Sequence, residues 1–468
     1  MSEFTLTLDG KSVAADETFG VINPATGQVF AQAPECSRAQ LDLAMESSAA
    51  AYKSWSRDLD KRRQALRDCA NVLRERAPEL GQILTREQGK PLEKGIGEFF
   101  GAAVWFDYTA GLELPVEVVQ DDDDARVEVH RRPLGVVAAI TPWNFPIVLA
   151  VWKIAPALLA GNTIVIKPSP FTPLSTLALG EALRDTLPPG VLNVVSGGDD
   201  LGKWMTSHPV PRKISFTGSI ETGKHVAASA APDLKRLTLE LGGNDAALVL
   251  PDVDPGAIAD KLFWGAFENT GQVCSAIKRV FVHEDQYQAT LDALAERAKS
   301  VVVGDGFDEK TELGPLNNQP QFDRVKELVA DAIDAGADVR AGGAARDGDG
   351  YFFEPTILGG LAEGVRIVDE EQFGPALPVL RYRDVDEALE RANATMFGLS
   401  GSVWSNDAQR AAEIAGRLEC GTAWVNQHLQ IVPHAPFGGA KWSGIGVENG
   451  HWGLYGFTET RTINIAKK

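Results

Sequence analysis

From Ser37 to about Gly111 the apolar positions recur at helical spacing. Leu66, Cys69, Ala70 and Leu73 fall at i, i+3, i+4 and i+7, one face of a helix turned to a core. Ser37 followed by Gln40 has the form of a capping box, which predicts a helix start there. Residues 1–36 alternate β-like runs with turns at Asp9-Gly10 and Pro24-Ala25-Thr26-Gly27. After Leu134 the period changes. Short β-branched runs over 135–140, 163–166, 191–195 and 214–216 alternate with helix-length segments, the signature of parallel βαβ units. A second set, 246–249, 280–282, 377–382 and 401–404, follows Gly242-Gly243, so two α/β units are expected.

Two alternating stretches fit neither unit. The segment 116–132 reads as a hairpin whose tip is the run Asp121–Asp124, and 458–468 reads as a further strand; both are predicted to be edge strands. The most apolar region, Leu134 to Ile166, is broken by Pro142, Asn144, Pro146, Lys153 and Pro156, and so reads as buried core and not as a membrane span.

Composition narrows the function without naming it. The 468 residues suit several packed cores, and 44% hydrophobic with 23% charged residues is ordinary globular usage. A formal charge of −19 disfavours nucleic acid and anionic lipid as partners. The first ten residues have neither the basic start nor the apolar run of a secretion signal, and four cysteines without a CxxC pair fit a reducing, cytoplasmic setting. Seven scattered histidines without a His/Cys cluster argue against a metal centre.

Three residues have candidate chemistry. Cys274 ends the segment Phe267-Glu268-Asn269-Thr270-Gly271-Gln272-Val273-Cys274, a thiol approached by small and polar residues. Glu240 lies between Leu239 and Leu241 ahead of Gly242-Gly243, and a carboxylate in apolar company titrates high enough to act as a base. Asn144, within Pro142-Trp143-Asn144-Phe145-Pro146, carries an amide able to donate to an oxyanion. Each alone reads equally well as structural: an inert buried thiol, a strand-end glutamate, a turn asparagine between prolines.

Taken together these blocks resemble the aldehyde dehydrogenase superfamily. The FxNxGQxC, LELGG and PWNFP blocks stand in the family's order, joined by Ile166-Lys167-Pro168-Ser169, Phe216-Thr217-Gly218-Ser219 with Gly223, Glu371-Gln372-Phe373-Gly374-Pro375, and Pro436-Phe437-Gly438-Gly439 with Lys441 and Ser443-Gly444. The resemblance spans nearly the whole chain. It implies that Cys274 attacks the aldehyde, that the Asn144 amide and the Cys274 N–H hold the resulting oxyanion, and that hydride passes to a nicotinamide. Glu240 then activates the water that releases the acid, and Lys153 assists proton movement.

The same resemblance implies a fold of class α/β. It has a Rossmann-type cofactor domain (1–115 and 134–242), an α/β catalytic domain (243–441), and a small bridging β-sheet (116–133 and 442–468) for oligomerisation as a homodimer or homotetramer. Ile140, Thr141, Pro142 and Trp143 line the cofactor cleft with Glu240, Leu241, Gly242 and Phe373. Lys167 reaches the adenosine ribose beside Ser169 and Pro170, Gly218-Ser219 begin the helix facing the pyrophosphate, and Glu371 holds the nicotinamide ribose. Many NAD-preferring members carry a glutamate three positions after the lysine. This chain has Pro170 there, so NAD is expected and NADP is admitted.

Phe145, Leu149, Trp152, Val273 and Ser275 are expected around an apolar aldehyde. His428 stands for either a substrate contact or an incidental loop histidine. The competing activities are coenzyme-A-acylating oxidation, disfavoured by Glu240; a silent scaffold, disfavoured by the retained cysteine; and a cysteine hydrolase, disfavoured by the lack of a Cys/His motif.

Overall fold

The computed structural model describes residues 4–468. Two large sheets organise it. At the centre of the first are five parallel strands, Arg236–Glu240, Lys213–Thr217, Val136–Ile140, Thr163–Lys167 and Leu192–Val194, in that spatial order. Val136–Ile140 comes first in sequence yet lies in the middle, so the direction in which successive strands are added across the sheet reverses between it and Lys213–Thr217. Ligands of open α/β sheets lie at such a switch point, beyond the carboxyl ends of the strands. Four of these strands end at Ile140, Lys167, Thr217 and Glu240.

Val136–Ile140 and Thr163–Lys167, at the middle of the sheet, are buried on both faces, which is why they read as apolar runs. The helix Pro146–Ala160 is buried on nearly every side and stops at Gly161, whose φ of 97° is the left-handed cap expected of glycine. The region read as buried core thus is core, and no helix among the described residues is long and apolar enough to cross a membrane.

The second sheet holds Asp245–Val249, Ile277–His283, Ala376–Tyr382 and Ser400–Trp404, each within a few residues of its expected run, together with Thr356–Gly359 and Thr422–Val425. Those last two are four residues long, too short to show a period in the sequence. Glu240 ends a strand of the first sheet and Asp245 begins one of the second, so the four residues between them join the two sheets. Cys274, Phe373 and Leu399 all sit just before strands of the second sheet, on the edge that receives this link.

Glu117–Asp121, Ala125–Pro133 and Thr458–Ala466 form the separate three-stranded sheet. Ala125–Pro133 is its centre, not an edge as expected, because the tail pairs on its free side along its whole length. The segment 442–457 departs from the expected bridging role. Gly444–Ile445 pairs with Leu239 and Glu240, while Leu454 and Phe457 are buried in the first core. The capping box at Ser37 is present, and Cys69 is fully buried in the same core.

Candidate active site

The approach to Cys274 is a strained turn. Asn269, Thr270 and Gly271 take φ values of 51°, 60° and 73°, three successive left-handed residues. Such backbone costs of order 1 kcal/mol at each non-glycine position and persists only where neighbours hold it. Here Thr270 Oγ1 donates to Gly314 O at 2.9 Å, Gln272 Nε2 to Asn269 O at 2.9 Å, and Asn317 N to Gln272 Oε1 at 2.8 Å. Gly271 is obligatory, since a Cβ there would strike the backbone of Gly374. The polar spacing of the block is therefore a set of loop anchors.

Asn144 is 2% exposed and its Nδ2 donates to Gln272 O at 2.9 Å, while its Oδ1 has no hydrogen-bond partner. Its main-chain carbonyl accepts from Asn269 Nδ2 and from Lys90 Nζ, both at 3.0 Å. Lys90 pairs in turn with buried Glu98 at 2.6 Å, whose other oxygen accepts from Ile147 N and Val148 N at the start of the apolar helix. Lys90, Glu98 and Asn269 thus hold the main chain at Asn144, and Gln272 O holds its side-chain amide. Sequence reasoning assigned them no role, and Glu98 lies amid an ordinary helical pattern.

Glu240 is 4% exposed with neither carboxylate oxygen hydrogen-bonded. Burial above all, then the Glu448 charge, pushes its pKa well above the usual carboxylate range, with Lys153 opposing. Lys153 Nζ donates to Glu448 Oε1 at 2.6 Å and Thr217 Oγ1 at 2.8 Å, so the lysine faces a second buried carboxylate. Glu448 is far away in sequence and carries no motif. Cys274 itself is half-buried; burial pushes its thiol up to about 12, with Lys278 opposing and the Glu371, Asp245 and Glu240 charges adding.

Cys274, Asn144, Glu240, Pro142, Trp143, Gly218, Ser219, Leu241, Gly242, Glu371 and Phe373 line one cleft of about 510 Å³. Ile140 and Lys167 face each other across adjacent strands, and Thr141 N donates to Lys167 O at 3.0 Å, which continues the site along the sheet edge. The groups fit a dinucleotide. Ser219 caps the helix Ile220–Ala230, whose N-terminus opens on the cleft. A Cβ on Gly242 would run into Glu371, whose Oε1 accepts from Gly243 N at 3.1 Å. Lys167 forms no ion pair among the described residues, and burial lowers it to about 8 against the pull of Asp199 and Glu35. Ser169 and Pro170 follow it directly, and position 170 offers no carboxylate.

On the other side of Cys274 lies an apolar cluster. Leu149, Trp152, Leu399 and Phe437 are buried together, with Phe145, Val148, Trp105 and Ile431 against them. Trp152 stacks on Trp105 at 5.6 Å and meets Phe437 edge-on at 5.7 Å. Val273 is 6% exposed and Ser275 fully buried with its hydroxyl unpaired. His428 is corrected. Its Nε2 contacts Ser275 O at 2.7 Å and its Nδ1 contacts Ser402 Oγ at 3.0 Å, so both nitrogens serve the protein and none is left for a substrate.

Residues 12–463 match the aldehyde dehydrogenase family. The chain is 38% identical to phenylacetaldehyde dehydrogenase of Pseudomonas fluorescens, over 97% of this chain and 93% of that one. It is 38% identical to human retinaldehyde dehydrogenase 3, over 96% and 89%. The structure superposes on the NAD+ complex of an aldehyde dehydrogenase from Bacillus cereus with a TM-score of 0.98, at 34% identity and covering 100% of this chain and 97% of that one.

Proposed function

This chain belongs to the aldehyde dehydrogenase family, and from that premise we propose that it oxidises an aldehyde to its carboxylic acid with Cys274 as the covalent nucleophile. One observation carries the reading: a half-buried thiol, an anchored amide and an unpaired carboxylate meet in one cleft. The thiolate adds to the carbonyl carbon, and the oxygen takes the negative charge. The Asn144 amide and the Cys274 N–H are the donors for that oxygen. When bound, the nicotinamide supplies the hydride acceptor, and NAD is the proposed cofactor. Glu240, freed of competing hydrogen bonds, takes a proton from water as that water attacks the thioester. Acid and free thiol result.

The apolar cluster favours an apolar aldehyde over a charged one, because burying an unpaired charge there costs several kcal/mol. Four unpaired cysteines fit a cytoplasmic setting, and the exposed three-stranded sheet supports a homo-oligomer. The test is nicotinamide absorbance with an aldehyde panel, without coenzyme A. Acid formation is expected; the absence of any signal with NAD or NADP would sink the proposal.

A further inference from the structure

Lys278 is 1% exposed, on the strand that leaves the nucleophile, and the family pattern described above gives it no role. Its Nζ donates to Val273 O at 2.6 Å and contacts Cys274 O at 3.5 Å. The Val273 carbonyl and the Cys274 N–H are two ends of one peptide group. An ammonium bonded to the carbonyl draws electron density toward oxygen, leaving the N–H more positive and fixing the peptide plane. That N–H is the backbone donor proposed for the oxyanion.

The surroundings suit such a use. Burying a lysine is costly unless charge and hydrogen bonds compensate. Glu371 Oε1 stands 4.0 Å from Nζ, and the Phe373 ring lies 5.5 Å away. Buried Asp245, raised to about 7 chiefly by burial, is held down by the same lysine. The charged groups facing Cys274 are therefore Glu240 from the first sheet, Asp245 and Lys278 from the second, and Glu371 from the loop before Ala376; His428 reaches the same turn at Ser275 O and is kept neutral by burial. Lys278 is the cation among three carboxylates.

We propose that Lys278 is a positioning residue for the aldehyde reaction: bonded to the Val273 carbonyl, it orients and polarises the Cys274 N–H and stabilises the thiolate. This rests on the reading of Cys274 as the nucleophile. A lysine that merely fastened the turn would affect folding but not the protonation behaviour of the thiol.

The test measures alkylation of Cys274 by iodoacetamide against pH in the cofactor-free protein, with the labelled peptide identified, alongside kcat. In Lys278→Met, kcat is expected to fall about ten-fold, part of what loss of an oxyanion donor costs. Alkylation at pH 8 should slow about five-fold, with the profile moved to higher pH because a nearby positive charge is gone. Lys278→Arg should restore the profile. If Lys278→Met does not fold, Lys278→Gln, which keeps a donor without charge, is expected to give the same displacement. A neutral variant whose profile superimposes on wild type would overturn the proposal, as would failure of Lys278→Arg to restore it. Failure of the underlying reading looks different: Cys274 stays unlabelled in wild type and Cys274→Ser keeps its activity.

Discussion

At Glu240 a single carboxylate separates two half-reactions. Glu240→Gln removes the base yet leaves Cys274, Asn144 and the cofactor cleft in place, so rapid mixing should show a full burst of reduced nicotinamide. Steady-state turnover should fall by about 10²–10⁴, the usual worth of a positioned base. A variant with wild-type steady-state rate would remove Glu240 from the mechanism. The direction of its shift also fixes a pH dependence. Because burial raises the pKa, the carboxyl holds its proton into a range where free glutamate would be ionised. Turnover limited by deacylation should rise with pH through that range, and Glu240→Gln should flatten the rise.

His428 gives a different pH effect, on stability. Burial lowers it to about 3 from an ordinary value of 6.5, so the unfolded chain binds the proton more readily than the folded one. Its contribution is complete above pH 6.5 and is lost as pH falls, about 2 kcal/mol by pH 5. Denaturant melts at pH 7.5 and 5 should show that loss, and His428→Gln should shrink it. Equal losses in both proteins would show that other groups dominate.

Among the elements, those built on strong periodic signals were legible and those built on tertiary contact were not. The strands Val136–Ile140, Thr163–Lys167, Leu192–Val194 and Lys213–Thr217 announce themselves because strands buried on both faces are rich in apolar residues, whereas Arg236–Glu240, with Arg, Thr and Glu among its five residues, gives no such run. The Cys274 turn was legible as a motif but not as geometry, since nothing local says that Gly314, Asn317 and Gly374 hold it. Lys90, Glu448 and Lys278 escaped for the same reason: a charged residue is read as surface until its buried partner is seen. This argues for a test at Gly271. Gly271→Ala places a Cβ against the Gly374 backbone at a φ of 73°, and the turn must move or the protein must lose about 1–3 kcal/mol. Both Tm and Cys274 alkylation should fall; a variant with both unchanged would show that the turn tolerates the side chain.

At the scale of the molecule, the three-stranded sheet stands apart from both cores and has one open strand on each side of Ala125–Pro133. Glu117–Asp121 is exposed along its length, and Val118, Val119 and Ile465 present apolar surface at 45%, 62% and 45% exposure. Unpaired strand edges with apolar side chains invite pairing with another chain. A second copy offers the same surface in closed symmetry, which ends the assembly instead of propagating it. Removing residues 458–468 would strip nine register pairs from the central strand while leaving Leu454 and Phe457 in the first core. The truncated chain should therefore keep its fold and its Cys274 cleft yet lose the proposed assembly. Light scattering after size exclusion should give one subunit mass for the truncation and a multiple of it for the full chain. A full chain that runs as a monomer would refute the assembly, and a truncated one that keeps it would place the contact elsewhere on the molecule.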